Sequence, residues 1–329
     1  MNRFSAVLLA ALMVAAASSQ PRAEGLTEVR YGQIASSARS ISSLALYVAQ
    51  RKGFLAKEGI DLHVVGLGGV EHMVEALDKG DVDVSHTATP YLIQAVLKGS
   101  DATAIAGGPA NTIFSLIAKP EIKGFADLKG KVIGLSLPVD TISIATRRLL
   151  AKHGLAPSDY SAKVVVGTPQ RADCLSTGAC DAVPLGQPDD IEFGDKGYAK
   201  LGDSLEVIPV LQFNVIAARR AWADAHKDLV TRFARAFGAA YSFARDPGHR
   251  DETAEIITET TGASPEIARQ MLAFYYEPYR GVMPRRGEIS LEGMNEVIDL
   301  LGETGDLKPP LPTAEQFVDL QYLKAAGLQ

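Results

Sequence analysis

An internal repeat constrains the fold of this chain more than any other feature of its sequence. Residues 74–93 read VEALDKGDVDVSHTATPYLI, and residues 172–191, which start 98 positions later, read ADCLSTGACDAVPLGQPDDI. Five identities stand in register: Leu77/Leu175, Gly80/Gly178, Asp83/Asp181, Pro90/Pro188 and Ile93/Ile191. Each copy predicts the end of a helix, a glycine that terminates it, a short apolar strand and a polar loop closed by a proline. The repeat therefore predicts two similar domains that face each other.

The length of the chain and the order of its elements favour two α/β units. The 329 residues are 47% apolar, which is enough to bury two cores of ordinary size. Strands alternate with helices in each half, a pattern typical of parallel strands joined by right-handed crossovers. Residues 107–111 and 206–218 are interpreted as the two crossings between the units. The remainder predicts helices at 224–245, 251–261, 265–275, 291–302 and 314–326 and is expected to pack on the first unit. The predicted boundaries are therefore 24–110 with 216–329 for lobe 1 and 111–215 for lobe 2.

Residues 1–23 are interpreted as a secretory signal peptide. Asn2 and Arg3 precede an uncharged apolar run, residues 4–17, which is short for a membrane-spanning helix and leads into small and polar residues. Cleavage after Ser19 and cleavage after Ala23 both fit the pattern, and an uncleaved anchor is the alternative. The segment contains no cysteine, so a lipoprotein is not expected. We expect the mature chain to be free in a periplasm.

The charge of the chain argues against nucleic acid as a partner. The formal net charge is −6, whereas phosphate binding needs clustered Lys and Arg. Any anionic ligand would therefore depend on local donors.

Cys174 and Cys180 are the only cysteines of the chain, and they span the helix-to-strand turn of the second repeat copy. In an oxidising compartment, this spacing is compatible with a short disulfide and equally with two separate thiols. A zinc site is disfavoured, because two thiolates are half of a ligand set and no histidine lies near them in sequence.

Four polar loops follow predicted strands and precede predicted helices, where open α/β sheets bind their ligands. The candidate ligand-binding residues are Ser36, Ser37, Arg39 and Ser40 in the first loop, His86, Thr87 and Thr89 in the second, Ser136, Asp140 and Thr141 in the third, and Gln187 and Asp189 in the fourth. Asn111 and Asn214 lie at the crossings and would line the hinge, with ordinary hinge packing as the alternative. Serine-rich loops also commonly act only as helix caps and turns.

The charged members of these loops favour different ligands. Arg39 is the best candidate for holding an anion, because a guanidinium offers bidentate donors. Asp140, Asp189 and Asp190 favour instead an amine or a neutral hydrogen-bonding ligand.

Three longer segments of the chain read LALYVAQRKGFLAKEGIDLHVV at 44–65, GDVDV at 80–84 and GFADLKGKVIGLSLP at 124–138. Together they resemble the periplasmic solute-binding proteins of ABC transporters in the nitrate, sulfonate, taurine and thiamine-precursor group. The resemblance covers essentially the whole mature chain. It implies a type II periplasmic-binding-protein fold, in which two doubly wound α/β lobes are joined by two crossing strands. It also implies that hinge closure captures a small molecule between the lobes and that an ABC permease at the inner membrane receives it.

The expected activity is binding without catalysis. The six histidines are scattered, and neither G-x-S-x-G nor H-E-x-x-H occurs. No cofactor is expected, since Glu71 stands where a dinucleotide-binding loop would have its third glycine. We expect a monomer that binds a small organic anion such as a sulfonate, a taurine-like compound or a carboxylate. The alternatives are a thiamine-pyrimidine precursor or another neutral or aromatic nitrogen compound as ligand, and a pyrimidine-precursor synthase, whose cysteine-rich motif this chain lacks.

Overall fold

A computed structural model describes residues 25–35, 40–111, 114–276 and 282–329 of the chain. The predicted signal peptide therefore lies outside the described residues. So do Ser36, Ser37 and Arg39, three of the candidate ligand-binding residues.

Strands and helices alternate through both halves of the chain. The strands are β1 (Thr27–Ile34), β2 (Ile60–Leu67), β3 (Val84–Ala88), β4 (Ala102–Gly107), β5 (Ser115–Ala118), β6 (Val132–Leu135), β7 (Ser161–Val164), β8 (Ala182–Leu185), β9 (Ala199–Asp203) and β10 (Asn214–Arg219). The helices are α1 (Leu44–Arg51), α2 (Phe54–Lys57), α3 (His72–Lys79), α4 (Thr89–Leu97), α5 (Thr141–Lys152), α6 (Thr168–Ser176), α7 (Asp189–Asp195), α8 (Arg220–Ala225), α9 (Lys227–Arg245), α10 (Arg250–Thr261), α11 (Pro265–Tyr276), α12 (Leu291–Glu303) and α13 (Gln321–Ala325).

Two five-stranded sheets of the same plan organise these elements. The first sheet has the order β2-β1-β3-β10-β4, and the second has the order β7-β6-β8-β5-β9. The second strand in each order, β1 or β6, pairs in parallel with both of its neighbours. The fourth strand, β10 or β5, runs antiparallel to both of its neighbours. The chain crosses from β4 to β5 and returns from β9 to β10. Each crossing therefore leads into the strand that is antiparallel in the sheet it enters, β5 in the second sheet and β10 in the first.

We use lobe 1 for the first sheet with α1–α4 and α8–α13, and lobe 2 for the second sheet with α5–α7. The main buried cluster of lobe 1 joins the sheet to α1, α9 and α12, through residues such as Tyr31, Phe237 and Val297. Lobe 2 has a smaller cluster on each face of its sheet. Leu116 belongs to one of these clusters and its neighbour Ile117 to the other, as the alternation of side chains along a strand requires.

The repeat has a structural counterpart in both lobes. Asp83 accepts a hydrogen bond from the Arg30 backbone N–H of β1 at 2.8 Å and from the Arg30 guanidinium at 2.6 Å. Asp181 accepts a hydrogen bond from the Val132 backbone N–H of β6 at 2.8 Å and from Lys119 Nζ at 2.7 Å. Each aspartate thus ties the start of its strand to the neighbouring parallel strand, and both are structural residues.

The structure forms a disulfide between Cys174 and Cys180, with the sulfurs 2.09 Å apart. It links the end of α6 to the residues that precede β8. The turn between them is therefore closed covalently.

Two predicted helices differ from the structure. The helical pattern of residues 224–245 continues across His226, where the structure divides it into α8 and α9. The pattern of residues 314–326 yields a 3-10 turn at Ala314–Phe317 and then α13, because Val318 is extended and bridges Ala104 beside β4. Among the described helices, none has the length and apolarity needed to cross a membrane.

Candidate ligand-binding site between the lobes

The described candidate residues lie in or beside the connections that follow strands of both lobes. His86 and Thr87 lie in the second half of β3, Thr89 begins α4, Ser136 and Asp140 connect β6 to α5, Thr141 begins α5, Gln187 connects β8 to α7, Asp189 begins α7, and Asn214 begins β10. Ser40 caps the 3-10 turn at Ile41–Ser43 by accepting a hydrogen bond from the Ser42 backbone N–H, which is the capping role weighed as the alternative for that loop. We call the space bounded by the other loops the interlobe site.

Two tyrosines of lobe 1 lie near carboxyl groups of lobe 2. Burial raises the pKa of Tyr91 in α4, and the negative charge of Asp140 raises it further. Burial also raises the pKa of Tyr275 in α11, with a contribution from Asp190 in α7. Two side chains of lobe 1 therefore lie within electrostatic reach of two carboxyl groups of lobe 2.

Buried polar atoms without a hydrogen-bond partner are concentrated in these loops. Among the described residues, seven such atoms belong to the loops: Thr87 Oγ1, Thr89 Oγ1, Tyr91 OH, Thr141 Oγ1, Gln187 Oε1, Asp190 Oδ1 and Asn214 Oδ1. Leaving a buried polar group unsatisfied costs about 1–3 kcal/mol, and folded proteins rarely accept many of them. Seven such groups, drawn from both lobes, indicate a place built to meet another molecule.

The wall that lobe 2 contributes is acidic. Asp190 is 6% exposed, and its Oδ2 accepts hydrogen bonds from Ser115 Oγ at 2.6 Å and from Gln187 Nε2 at 2.7 Å. Burial raises the pKa of Asp190. Burial and the neighbouring carboxylates of Glu192 and Asp190 raise the pKa of the half-buried Asp189 to about 6.

Asp140 adds a third carboxyl group at the start of α5. Its Oδ2 accepts a hydrogen bond from Ser136 Oγ at 2.7 Å, and its Oδ1 caps α5 through the Ile142 backbone N–H at 3.4 Å. Burial raises the pKa of Asp140. The Ser136 hydroxyl is thus engaged with a carboxylate.

Arg171 is a buried cation of this wall that the sequence analysis did not single out. It is 1% exposed, and its guanidinium donates to Pro184 O at 2.7 Å and to Thr168 Oγ1 at 3.0 Å. Burial lowers the pKa of Arg171 to about 10, while the charges of Asp140 and Asp189 oppose this shift. Its spacing could have indicated its burial, because Arg171, Cys174 and Leu175 stand at helical intervals on the buried face of α6.

Aromatic rings lie where the two crossings meet the site. Phe114, which precedes β5, and Phe213, which precedes β10, pack edge to face with ring centroids 6.2 Å apart. The Arg171 guanidinium lies 5.9 Å from the centroid of the Phe114 ring. These rings connect the hinge to the wall of lobe 2.

The crossings also bind to each other directly. The Asn111 side-chain amide donates to Ile208 O at 3.2 Å and to Pro209 O at 2.8 Å. Gln212 Nε2 donates to Asn214 O at 2.7 Å, and Gln212 Oε1 accepts from the Ser290 backbone N–H at 2.8 Å. Asn111 therefore makes the contacts of hinge packing, whereas Asn214 still presents an unpartnered oxygen within the described structure.

The lobes also touch beside the site. Arg148 of α5 forms ion pairs with Glu296 at 3.2 Å and Glu303 at 2.6 Å, both in α12 of lobe 1. Lys200 of β9 lies 5.7 Å from the centroid of the Phe274 ring in α11. The structure therefore shows the lobes in contact around the interlobe site.

Comparison with known proteins bears on this architecture. Residues 40–249 match the sequence model of a family described as NMT1/THI5 like. YtlA of Bacillus subtilis strain 168, which its name places among binding proteins, is 24% identical over 290 residues, or 85% of this chain and 85% of that protein.

Two solved structures have the same arrangement of lobes. The ligand-binding component of an ABC-type import system from Staphylococcus aureus matches with a TM-score of 0.75 at 18% identity, over 92% of this chain and 99% of that one. The alkanesulfonate-binding protein SsuA from Xanthomonas axonopodis pv. citri, bound to MOPS, matches with a TM-score of 0.69 at 19% identity, over 89% and 99%. These likenesses confirm the predicted fold class, a periplasmic-binding-protein fold with two α/β lobes joined by two crossing strands.

Proposed function

The chain belongs to the NMT1/THI5-like family, and on that premise we propose that it is the extracytoplasmic solute-binding component of an ABC importer. It captures one small organic molecule in the interlobe site and delivers it to a membrane permease. Lobe 1 is taken as residues 24–110 with 216–329, and lobe 2 as residues 111–215. The crossings between them act as the hinge.

One observation carries this proposal: unpartnered buried polar atoms of both lobes converge on one site. Thr87 and Thr89 supply such atoms from lobe 1, Thr141 and Asp190 supply them from lobe 2, and Asn214 supplies one from the return crossing. A molecule seated between the lobes would bond to both sides at once, and its binding energy would favour the closed arrangement over an open one. A site on one lobe alone would leave half of these groups without a role.

Relatives support the importer assignment. The Staphylococcus aureus structure is named as the ligand-binding component of an ABC-type import system. The Xanthomonas structure is named as an alkanesulfonate-binding protein. We propose the same class of work for this chain, in a periplasm reached through the signal peptide of residues 1–23.

The preference for an organic anion stays a prediction, because it rests on Arg39 and on hydroxyls of a loop outside the described residues. Within the described residues, the site presents Asp140, Asp189 and Asp190. A taurine-like solute, which carries an ammonium group as well as a sulfonate, suits both sets of residues.

The test is saturable binding without turnover. Purified mature chain is screened by thermal shift against a library of small metabolites, and each hit is titrated by calorimetry. We expect a stoichiometry of one, and a rise in melting temperature that grows with solute concentration. Mass spectrometry after prolonged incubation should recover the solute unchanged.

Two results would contradict the proposal. If no small solute raises the melting temperature, the chain is not a solute receptor. If a solute is consumed at a rate proportional to protein concentration, the chain is an enzyme, as a pyrimidine-precursor synthase would be. Replacement of Arg39 by alanine tests the anion preference separately, because a ligand anion bound with unchanged affinity would remove Arg39 from the site.

A further inference from the structure

Asp190 and Gln187 form one buried group of acceptor atoms on the wall of lobe 2. Both residues are 6% exposed. Gln187 Nε2 donates to Asp190 Oδ2 at 2.7 Å, which fixes the orientation of the amide, because the reverse orientation would place two oxygens against each other. Gln187 Oε1 and Asp190 Oδ1 therefore flank a single hydrogen bond. Neither of these oxygens has a partner among the described residues.

Both free atoms are oxygens that accept hydrogen bonds, so a molecule that satisfies them must bring donors. Asp190 Oδ2 is already occupied by Ser115 Oγ at 2.6 Å as well as by Gln187. This leaves Oδ1 as the oxygen open to a ligand. A buried carboxylate is costly unless it is paired with a positive charge or fully hydrogen-bonded.

Among the described residues, Asp190 differs from Asp140 and Asp189 in the cation that lies near it. The buried Arg171 lies within electrostatic reach of Asp140 and Asp189. The cation within electrostatic reach of Asp190 is the exposed Lys200. Lys200 forms its ion pair with Asp203, at 3.9 Å. The buried Arg171 therefore offsets the negative charge of Asp140 and Asp189 rather than that of Asp190.

We propose that this wall is a subsite for a cationic nitrogen group, in which Asp190 Oδ1 and Gln187 Oε1 accept N–H bonds from a protonated amine, amidinium or guanidinium of the solute. The assignment rests on the proposed function and narrows its ligand class. An ammonium or guanidinium supplies several N–H donors and one positive charge, which matches two acceptors and one carboxylate. Tyr275 of lobe 1 lies within electrostatic reach of Asp190, so the solute's nitrogen sits where the lobes meet.

The experiment compares matched solutes on the purified chain. Primary amines, guanidines, amino acids and aminosulfonates are titrated beside sulfonates and carboxylates of the same carbon skeleton without nitrogen. We expect binding from the nitrogen-bearing cations or zwitterions. Their nitrogen-free counterparts should bind at least about 30-fold more weakly, which is the usual effect of removing one partner of a buried charge pair.

Asp190→Asn and Asp195→Asn are the paired variants. Both remove one negative charge from α7, but Asp195 is exposed at the far end of the helix. Asparagine keeps the shape of Asp190 and can still bond to Ser115 and Gln187. We expect Asp190→Asn to weaken binding of the nitrogen-bearing solute by about 30-fold or more, and Asp195→Asn to leave it unchanged.

Each outcome decides between the two proposals. If only nitrogen-free anions bind, or if Asp190→Asn binds the amine as well as the parent does, the cationic subsite is wrong and the solute-binding function stands. If no solute of any class binds, both proposals fail. Circular dichroism and the melting temperature of Asp190→Asn show whether a loss of affinity reflects a loss of fold.

Discussion

A buried histidine lies in β3, the strand that leads into the site from lobe 1. His86 is 6% exposed, and burial lowers its pKa from about 6.5 to about 4. The imidazole is therefore neutral at physiological pH, and it offers a solute one donor and one acceptor rather than a positive charge. Any fixed positive charge in the interlobe site must come from another residue.

We predict that His86 makes the fold less stable as the pH falls. The unfolded chain protonates this imidazole near pH 6.5 and the folded chain only near pH 4, so between these values the unfolded state binds more protons. The free energy of unfolding contributed by His86 should drop by roughly 2–3 kcal/mol between pH 7.5 and pH 4.5. Urea unfolding of the parent and of His86→Gln across this range measures it as the difference between the two proteins.

The comparison at each pH removes an opposing contribution. Burial raises the pKa values of Asp140, Asp189 and Asp190, so these groups take up protons more readily in the folded state and add stability as the pH falls. They are present in both proteins and cancel in the difference. A difference between parent and His86→Gln that does not vary with pH would contradict the assignment.

Single residues also show where reasoning from sequence succeeded and where it stopped. Asp83 and Asp181 recur at the same position of the repeat, and the structure gives both the same strand-tethering contacts. Arg171 was missed because charge alone predicts exposure. Its burial depends on acceptors such as Pro184 O, which only the folded chain brings together.

At the scale of elements, helices α5 and α12 meet across the lobes through an ion-paired arginine. Arg148 bonds to Glu296 and Glu303 only if the lobes are as close as they are here. These pairs are partly exposed, so each contributes less than about 1 kcal/mol and weakens in salt. They favour the closed arrangement without being essential to either lobe.

We predict that Arg148→Ala lowers solute affinity by about two- to fivefold, because it removes contacts made only between closed lobes. Arg147→Ala is the matched control, since Arg147 is the adjacent residue and donates to Pro138 O within its own lobe. Calorimetry at low salt and at 0.5 M salt, where the Debye length is roughly 4 Å, measures both variants. Equal losses in the two variants would show that the α5–α12 contact does not favour closure.

We also predict that the disulfide at the end of α6 stabilises the fold. It closes a short loop of the chain, with a sequence separation of 6, and loops of this size gain about 2 kcal/mol from a crosslink. Replacing both Cys174 and Cys180 with alanine should lower the free energy of unfolding by that amount. A reducing agent should lower the stability of the parent equally and leave the double variant unchanged; a stable, reductant-insensitive parent would contradict the role of the bond.

The elements that could be predicted from sequence are those set by local pattern. Alternating strands and helices, glycine stops and the repeat were enough to predict two α/β units. They did not predict β9 or the antiparallel direction of β5 and β10, which depend on pairing between distant segments. The helix predicted at 314–326 does not form as one helix, because a tertiary contact overrides its helical propensity. The Asp319 backbone N–H donates to Ala104 O in β4, and the preceding Val318 is extended. The structural repeat also extends beyond the two matched segments. Gly32 in β1 and Gly134 in β6 occupy equivalent strand positions, and a Cβ at either would meet side-chain atoms at 3.0 Å and 2.7 Å.

At the scale of the whole molecule, two lobes of one plan hold a site that neither completes alone. The polar edges of both sheets meet, the crossings bind each other through Asn111, and α5 packs against α12. The sequence predicted this arrangement because a duplicated unit places its strand ends alike in both lobes. The sequence indicated the carboxyl groups of the wall but not their raised pKa values, which depend on how far Asp189 and Asp190 are buried.

The central claim is that a solute binds between the lobes and holds them together. Small-angle X-ray scattering of the purified chain, without solute and with a saturating concentration of a solute identified by titration, tests it most directly. We predict a smaller radius of gyration with solute, and a weaker compaction in Arg148→Ala at the same subsaturating concentration. An unchanged radius of gyration at saturation would contradict the claim, because it would mean that the solute binds without bringing the lobes together.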